Sequence, residues 1–146
     1  MRYLLLLLFF IHTSAQSINT KGLLTVDKAF QLSSHIDKSG QLKISWQIAK
    51  GYYLYRNKLS FISKTPNIKI KNIEFPTGEL KKDQYFGDVI VYHNDINIYL
   101  NLDRLKEDKY FLLEVQYQGC ADVGVCYPPE KKVLTLKPPT LKSNVN

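Results

Sequence analysis

The chain has 146 residues, of which 45% are hydrophobic and 23% are charged. This length and composition predict one small folded domain, and they exclude a disordered tail and a pair of separate domains. The formal net charge is +7, but the basic residues are scattered in small groups such as Lys81–Lys82 and Lys131–Lys132. Because nucleic-acid binding needs basic residues gathered in one patch, the charge indicates a solvated surface and no nucleic-acid partner.

The first apolar run of the chain, Leu4–Ile11, follows Arg2 and precedes the small residues Thr13–Ala15. It is far shorter than the roughly 20 residues that a membrane-spanning helix needs. We therefore predict a secretory signal peptide over residues 1–15 and an N-terminal tail over residues 16–22. The alternative is an anchor that is never cleaved, and in either case the body of the protein leaves the cytosol.

Alternating apolar residues predict a first β-hairpin. The alternation runs through Phe30–Ile36 and again through Leu42–Ile48, with the turn-like sequence Asp37–Gly40 between them. Trp46 falls on the apolar face of the second strand, so we expect it in the core. The aromatic-rich segment Tyr52–Arg56 is interpreted as a connection.

The middle of the chain predicts further strands and one long loop. Short apolar stretches at Leu59–Ile62 and Ile68–Phe75 indicate two strands, and Pro76–Gly87 has the proline, glycine and charge content of a loop. Apolar residues at Val89–Tyr92 and the alternating segment Ile96–Leu102 are separated by a turn-like pair, which predicts a second hairpin.

The last strands are predicted at Phe111–Tyr117 and Val133–Leu136, after a connection at Asp103–Asp108. The sequence shows no sustained apolar stripe at helical spacing. About seven or eight short strands at this spacing indicate an all-β fold, a two-sheet β-sandwich.

The two cysteines of the chain, Cys120 and Cys126, lie in the segment QGCADVGVCYPP. An exported chain tends to hold such a pair as a disulfide, either redox-active or structural. In the chain-entropy model a bridge closing about seven residues contributes on the order of 2.4 kcal/mol, far less than a long loop would give. Only His35 and His93 follow the predicted signal peptide, and neither is near the cysteines in sequence, so no metal site is predicted.

Three motifs carry a resemblance to a known family. They are WQIAKGYYLYRNKL at Trp46–Leu59, DQYFGDVIVY at Asp83–Tyr92 and VQYQGCADVGVCYPP at Val115–Pro129. In this order they resemble the N-terminal periplasmic domain of the thiol:disulfide interchange protein DsbD, the disulfide bond corrector domain family. The resemblance covers residues 23–139.

The resemblance implies an immunoglobulin-like sandwich whose cysteine pair relays electrons without a cofactor. In the family, a thioredoxin-like domain reduces the disulfide. The dithiol then reduces periplasmic partners, such as a disulfide isomerase or a cytochrome c maturation thioredoxin. By position, Cys126 matches the cysteine that forms mixed disulfides with partners, and Cys120 matches the one that resolves them.

The segment Asp83, Gln84, Tyr85, Phe86 and Gly87 aligns with the family's cap loop, which covers the cysteine pair and opens when a partner docks. An aromatic lid keeps small thiols from the sulfurs, and a nearby carboxylate disfavours the thiolate and raises its pKa. The alternative for the two aromatic residues is core packing at the base of a loop.

Tyr53 and Tyr55 match family tyrosines beside the pair, where a phenol could hydrogen-bond a sulfur or Asp83. The alternative is a packed aromatic strand edge. The family often has a second acidic residue after the cap-loop aspartate and the aromatic order Phe then Tyr, whereas this chain has Gln84 and then Tyr85–Phe86. We therefore expect a less negative site.

Family members usually continue into a membrane segment and a thioredoxin-like domain, whereas a tail of residues 140–146 follows here. We therefore expect a periplasmic relay domain, one component of a protein-disulfide reductase, whose electrons come from a thioredoxin-like domain or a membrane thiol reductase on another chain. The alternatives are a non-catalytic immunoglobulin-like binding module with a structural disulfide, and a piece of a longer reductase.

Overall fold

The computed structural model describes residues 22–37, 39–103 and 110–138. The predicted signal peptide, residues 16–21 of the predicted tail, most of the predicted connection at Asp103–Asp108 and the C-terminal tail lie outside the described residues. In the described part of the chain, no helix is long and apolar enough to cross a membrane.

The described residues form twelve strands, a single-turn helix and a short 3-10 helix. In chain order these are α1 Val26–Ala29, β1 Phe30–Ile36, β2 Gln41–Ile48, β3 Tyr52–Tyr55, the 3-10 helix Arg56–Lys58, β4 Ser60–Ser63, β5 Lys69–Glu74, β6 Glu79–Asp83, β7 Gly87–Tyr92, β8 Ile96–Asp103, β9 Phe111–Tyr117, β10 Gly119–Ala121, β11 Val125–Cys126 and β12 Glu130–Leu136.

The strands form two layers. One layer is the antiparallel sheet β1-β2-β8-β5. The other combines the sheets β11-β10-β3-β7-β6 and β12-β9-β4, because only Gln118 separates β9 from β10 along the chain. The backbone amide of Tyr55 donates to the Gln118 carbonyl at 3.1 Å, which joins the two sheets at this point. The predicted all-β sandwich is confirmed.

The main core lies between the layers. Alternate residues of β2 and β9 point inward and are buried, as the period-two pattern predicts. Trp46 is fully buried, and its ring centroid lies 5.7 Å from that of Tyr117 in the opposite layer. The prediction that Trp46 is a core residue is confirmed.

The predicted hairpin of β1 and β2 is confirmed, with Leu32 paired to Trp46. The second predicted hairpin is wrong, because β7 pairs with β3 and β6 whereas β8 pairs with β2 and β5 in the other layer. The turn between them crosses from one layer to the other. The side chain of Asp95 in this turn accepts a hydrogen bond from the Ile48 amide at 3.1 Å, at the end of β2.

Two segments without a strand signal are strands in the structure. The predicted connection Tyr52–Arg56 contains β3, and the predicted loop Pro76–Gly87 contains β6. Strand β3 carries Tyr53 and Tyr55, and β6 ends at Asp83. The strands predicted near residues 59–62, 68–75, 111–117 and 133–136 are present as β4, β5, β9 and β12.

Candidate redox site

The two cysteines face each other across a small hairpin, residues 119–126, which we call the cysteine hairpin. Cys120 on β10 is paired directly with Cys126 on β11, and the two are joined by a disulfide with Cα atoms 3.9 Å apart. Gly124 closes the turn with a φ of +87°, a conformation that favours glycine. Cys120 is fully buried, whereas Cys126 is half-buried.

The main chain of β10 lies directly against the main chain of β3, and this places the cysteine hairpin next to β3. Gly119 pairs with Leu54 of β3, and a Cβ at Gly119 would lie only 2.4 Å from both the Phe30 ring and the Tyr53 carbonyl oxygen. Glycine is therefore required at this position. Without it the disulfide could not lie directly over the side chains of β3.

Strand β3 is buried on both faces. Tyr52 and Leu54 belong to the main core, whereas Tyr53 and Tyr55 point to the outer side of the layer. There they form a second, smaller cluster with Val89, Val91 and Cys120, and Cys126 packs against it. The disulfide thus lies outside the main core, on a floor made by the two outward tyrosines.

Asp83, the last residue of β6, receives four hydrogen bonds. The Tyr55 hydroxyl donates to Oδ2 at 2.7 Å and the Tyr53 hydroxyl to the same oxygen at 3.4 Å. The backbone amides of Tyr85 and Phe86 donate to Oδ1 at 2.8 and 3.1 Å. Asp83 is nearly fully buried, and these bonds tie the start of the cap loop to the floor of the site.

Tyr55 connects this carboxylate to the disulfide. Its hydroxyl oxygen lies 3.3 Å from the Cys120 sulfur and 3.9 Å from the Cys126 sulfur. A disulfide sulfur carries no hydrogen, and the Tyr55 proton is directed to Asp83, so the oxygen meets the sulfurs through its lone pairs. In the reduced protein, a thiol at Cys120 can donate to this oxygen.

The environment fixes the charges of these groups. Burial disfavours ionisation of Asp83, but the hydrogen bonds from Tyr55 and the two loop amides outweigh it and hold the pKa of this carboxyl below its ordinary value. Burial raises the pKa of Tyr53, and it raises the pKa of Tyr55 further together with the bonds to Tyr53 and Asp83. At neutral pH Asp83 is therefore a carboxylate and the two phenols are neutral, and the carboxylate disfavours a thiolate nearby.

The cap loop is a tight turn between β6 and β7. Asp83 and Gly87 are paired at its base, and Gly87 has a φ of +70°. Phe86 is 40% exposed and its ring centroid lies 5.2 Å from that of Tyr55, edge to face. Tyr85 is 62% exposed. These exposures argue against core packing for both aromatic residues.

A cleft of about 330 Å³ separates the cap loop from the turn of the cysteine hairpin. Gln84 reaches towards that turn, since a Cβ at Gly124 would lie 3.9 Å from its Nε2. All nine residues predicted for the site therefore lie in one region, on the outer face of the second layer.

Sequence reasoning missed three side chains that surround the site. Lys58 and Lys81 place their ammonium groups 4.2 Å and 4.8 Å from the ring centroids of Phe86 and Tyr53. His93 has its ring 5.3 Å from that of Tyr53. Residues two apart on a strand point to the same face, so recognising β6 would have placed Lys81 on the same face as Asp83. Within the described residues, no group of acidic, histidine or cysteine side chains is placed to bind a metal ion.

The sequence matches one known protein family and its curated members. The family model described as "Thiol:disulfide interchange protein DsbD, N-terminal" matches residues 20–138. The chain is 38% identical over 120 residues to the thiol:disulfide interchange protein DsbD of Haemophilus ducreyi, covering 82% of this chain and 20% of that protein. It is 36% identical over 119 residues to that of Vibrio cholerae, covering 82% and 19%. The chain thus spans about a fifth of the length of these relatives.

Two solved structures of DsbD N-terminal domains also match this chain. The DsbD N-terminal domain of Neisseria meningitidis in the reduced form matches with a TM-score of 0.75 and 30% identity, over 84% of this chain and 96% of that chain. A structure of the complex between the DsbD N-terminal and PilB N-terminal domains from the same organism matches with a TM-score of 0.68 and 28% identity, over 82% and 95%. The immunoglobulin-like fold is therefore confirmed. The chain belongs to the family of N-terminal domains of the thiol:disulfide interchange protein DsbD.

Proposed function

We propose that this protein is an exported dithiol/disulfide relay that passes electrons between other thiol proteins in the periplasm. The observation that carries the proposal is the position of the disulfide, outside the main core and next to the cap-loop network, with the Tyr55 hydroxyl between its sulfurs and Asp83. A disulfide that only braced the fold would need neither a cap nor a buried carboxylate network beside it.

The relay consists of two exchange reactions. In the first, a donor dithiol loses two electrons and two protons and becomes a disulfide, while Cys120–Cys126 becomes two thiols. In the second, the Cys126 thiolate attacks an acceptor disulfide, forming a mixed disulfide and releasing one acceptor thiol. The Cys120 thiolate then attacks the Cys126 sulfur, which restores the internal disulfide and releases the second acceptor thiol.

The exposures of the two cysteines support this assignment of roles. Cys126 is half-buried beside the cap loop, so a partner sulfur can reach it once the loop is displaced. Cys120 is fully buried against Tyr55, where only the neighbouring Cys126 sulfur is accessible to it. That arrangement suits an attacking and a resolving cysteine.

The partners proposed are proteins with redox-active cysteines. The donor is a thioredoxin-like domain or a membrane thiol reductase, and the acceptor is a periplasmic disulfide isomerase or a cytochrome c maturation thioredoxin. The relative solved in a complex with a PilB N-terminal domain supports docking of a second domain.

The deciding measurement is the reduction potential of the Cys120–Cys126 pair in the purified chain lacking residues 1–15. The chain is equilibrated with defined dithiol/disulfide buffers and its thiols are counted by alkylation. A relay should lie in the range of the catalytic thiol proteins, roughly −120 to −270 mV, whereas a structural bridge lies below about −300 mV. The lower value would favour the alternative of a binding module with a bracing disulfide.

Single cysteine variants test the roles. Cys120→Ser should accumulate mixed disulfides with an acceptor, because the resolving thiol is missing, whereas Cys126→Ser should form none. The adducts are detected by non-reducing electrophoresis and mass spectrometry. Adducts seen only with Cys126→Ser would reverse the assignment.

A further inference from the structure

A lysine of the first family motif, Lys58, contacts the cap loop. Lys58 ends the 3-10 helix that follows β3, and its Nζ lies 4.2 Å from the centroid of the Phe86 ring. An ammonium within about 6 Å of a ring centroid is attracted by the negative face of the ring. This contact joins the 3-10 helix that follows β3 to the cap loop.

The Phe86 ring has the Tyr55 ring, the Tyr85 ring and the Lys58 ammonium as neighbours. Its backbone amide donates to Asp83 at 3.1 Å, but this bond fixes the main chain and leaves the side chain free to rotate about χ1. The ring itself packs edge to face against Tyr55, which is fully buried and cannot follow it. Phe86 is 40% exposed, and the contact with the Lys58 ammonium opposes outward rotation of the ring.

We propose that Lys58 is a positioning residue for the cap loop. Its ammonium holds the Phe86 ring against Tyr55 and so keeps the loop closed over the disulfide until a partner domain displaces it. Lys58 would thus regulate access to the site. This role rests on the proposed function in one respect, which is that the disulfide must react with thiols. Its structural part, closure of the cap, is measurable without redox chemistry.

The change in the rate of disulfide reduction on replacing Lys58 distinguishes a cap contact from a purely electrostatic effect of its charge. A positive charge near a disulfide attracts incoming thiolates, so removing it would slow their reaction. Loss of a contact that holds the cap closed instead makes the disulfide more accessible. From the strength of exposed cation–π contacts, Lys58→Gln should speed reduction by about two- to fivefold, and Lys58→Arg should react like the unchanged protein.

The test follows the oxidised protein in excess dithiothreitol, which is oxidised to its cyclic disulfide as Cys120–Cys126 becomes two thiols. Cap opening is measured in parallel by hydrogen exchange of the Tyr85 and Phe86 amides, which are bonded to Asp83. Both rates should rise in Lys58→Gln. Lys69→Gln is the matched control, since Lys69 is an exposed lysine of β5 in the other layer.

Phe86→Leu provides the second background, because it removes the ring that Lys58 contacts. In that background Lys58→Gln should change neither rate. A slower or unchanged reduction in Lys58→Gln, unchanged amide exchange, or equal acceleration in the Phe86→Leu background would each overturn the role of Lys58. Faster amide exchange combined with a potential typical of a structural bridge would instead keep Lys58 as the cap contact and overturn the relay.

Discussion

Removing the Tyr55 hydroxyl is the sharpest test of the network that underlies the site. Tyr55→Phe deletes the 2.7 Å hydrogen bond to Asp83 and leaves a buried carboxylate oxygen with only the longer 3.4 Å bond from Tyr53. A hydrogen bond to a charged group contributes roughly 1.5 to 3 kcal/mol, so the free energy of unfolding of the oxidised protein should fall by about 2 kcal/mol at neutral pH.

The loss should depend on pH in a defined direction. The pKa of Asp83 is lowered in the folded protein, so its ionisation stabilises the fold above the unfolded-state value of about 3.9. This stabilisation disappears as the pH falls through the lower, folded-state value. The difference between Tyr55→Phe and the unchanged protein should therefore be largest near neutrality and shrink in acid.

Urea unfolding, followed by the fluorescence of Trp46, measures these free energies at about pH 7 and about pH 3. Two matched variants serve as controls. Tyr53→Phe removes the long 3.4 Å bond to Asp83 and the 3.3 Å contact with the Tyr55 hydroxyl but keeps the 2.7 Å bond, so it should lose less than about 1 kcal/mol. Tyr92→Phe removes a 3.1 Å bond to the Pro76 carbonyl, so its loss should not vary with pH. A Tyr55→Phe loss that equals that of Tyr53→Phe, or that is the same at both pH values, would show that the Tyr55 hydroxyl does not stabilise the Asp83 carboxylate.

Two further variants test the packing and the charge of the site. Gly119→Ala should lower the free energy of unfolding by at least about 2 kcal/mol, because the new Cβ meets the Phe30 ring and the Tyr53 carbonyl; a melting temperature equal to that of the unchanged protein would contradict this. Asp83→Asn removes the negative charge beside the pair and should lower the pKa of the Cys126 thiol in the reduced protein. The pH profile of its alkylation by iodoacetamide should then move to lower pH, and an unmoved profile would show that the carboxylate does not act on the sulfur.

The strands that could be predicted from the sequence are buried on one face only. In β1 and β2, polar residues face solvent and apolar residues face the core, so the period of two is visible in the sequence. The cysteine segment and the cap loop were identified by the family resemblance, since neither has a periodic signal of its own. The structure brings all of those residues together.

The parts that were missed have physical reasons. Strand β3 is buried on both faces, so its four residues are all apolar or aromatic and show no alternation. Strand β6 lies at the edge of its sheet and is rich in charge, which is also the composition of a loop. The turn at Asn94–Asp95 has hairpin chemistry but joins two layers, because Asp95 binds the end of β2 instead of turning the chain back on itself.

The two-sided burial of β3 also determines how the site can open. Tyr52 and Leu54 are fixed in the main core, so Tyr55, which follows Leu54 on the same strand, cannot move without disturbing the sandwich. Opening must therefore occur in the cap loop, where rotation of the Phe86 side chain breaks no hydrogen bond, whereas moving the main chain breaks the bonds of two amides to Asp83. Outward movement of the Phe86 ring removes its contact with Tyr55, so the main chain of the loop then breaks its bonds to Asp83 more readily. Cys126 becomes accessible first, while Cys120 stays buried against Tyr55, which is the order that an attacking and a resolving cysteine require.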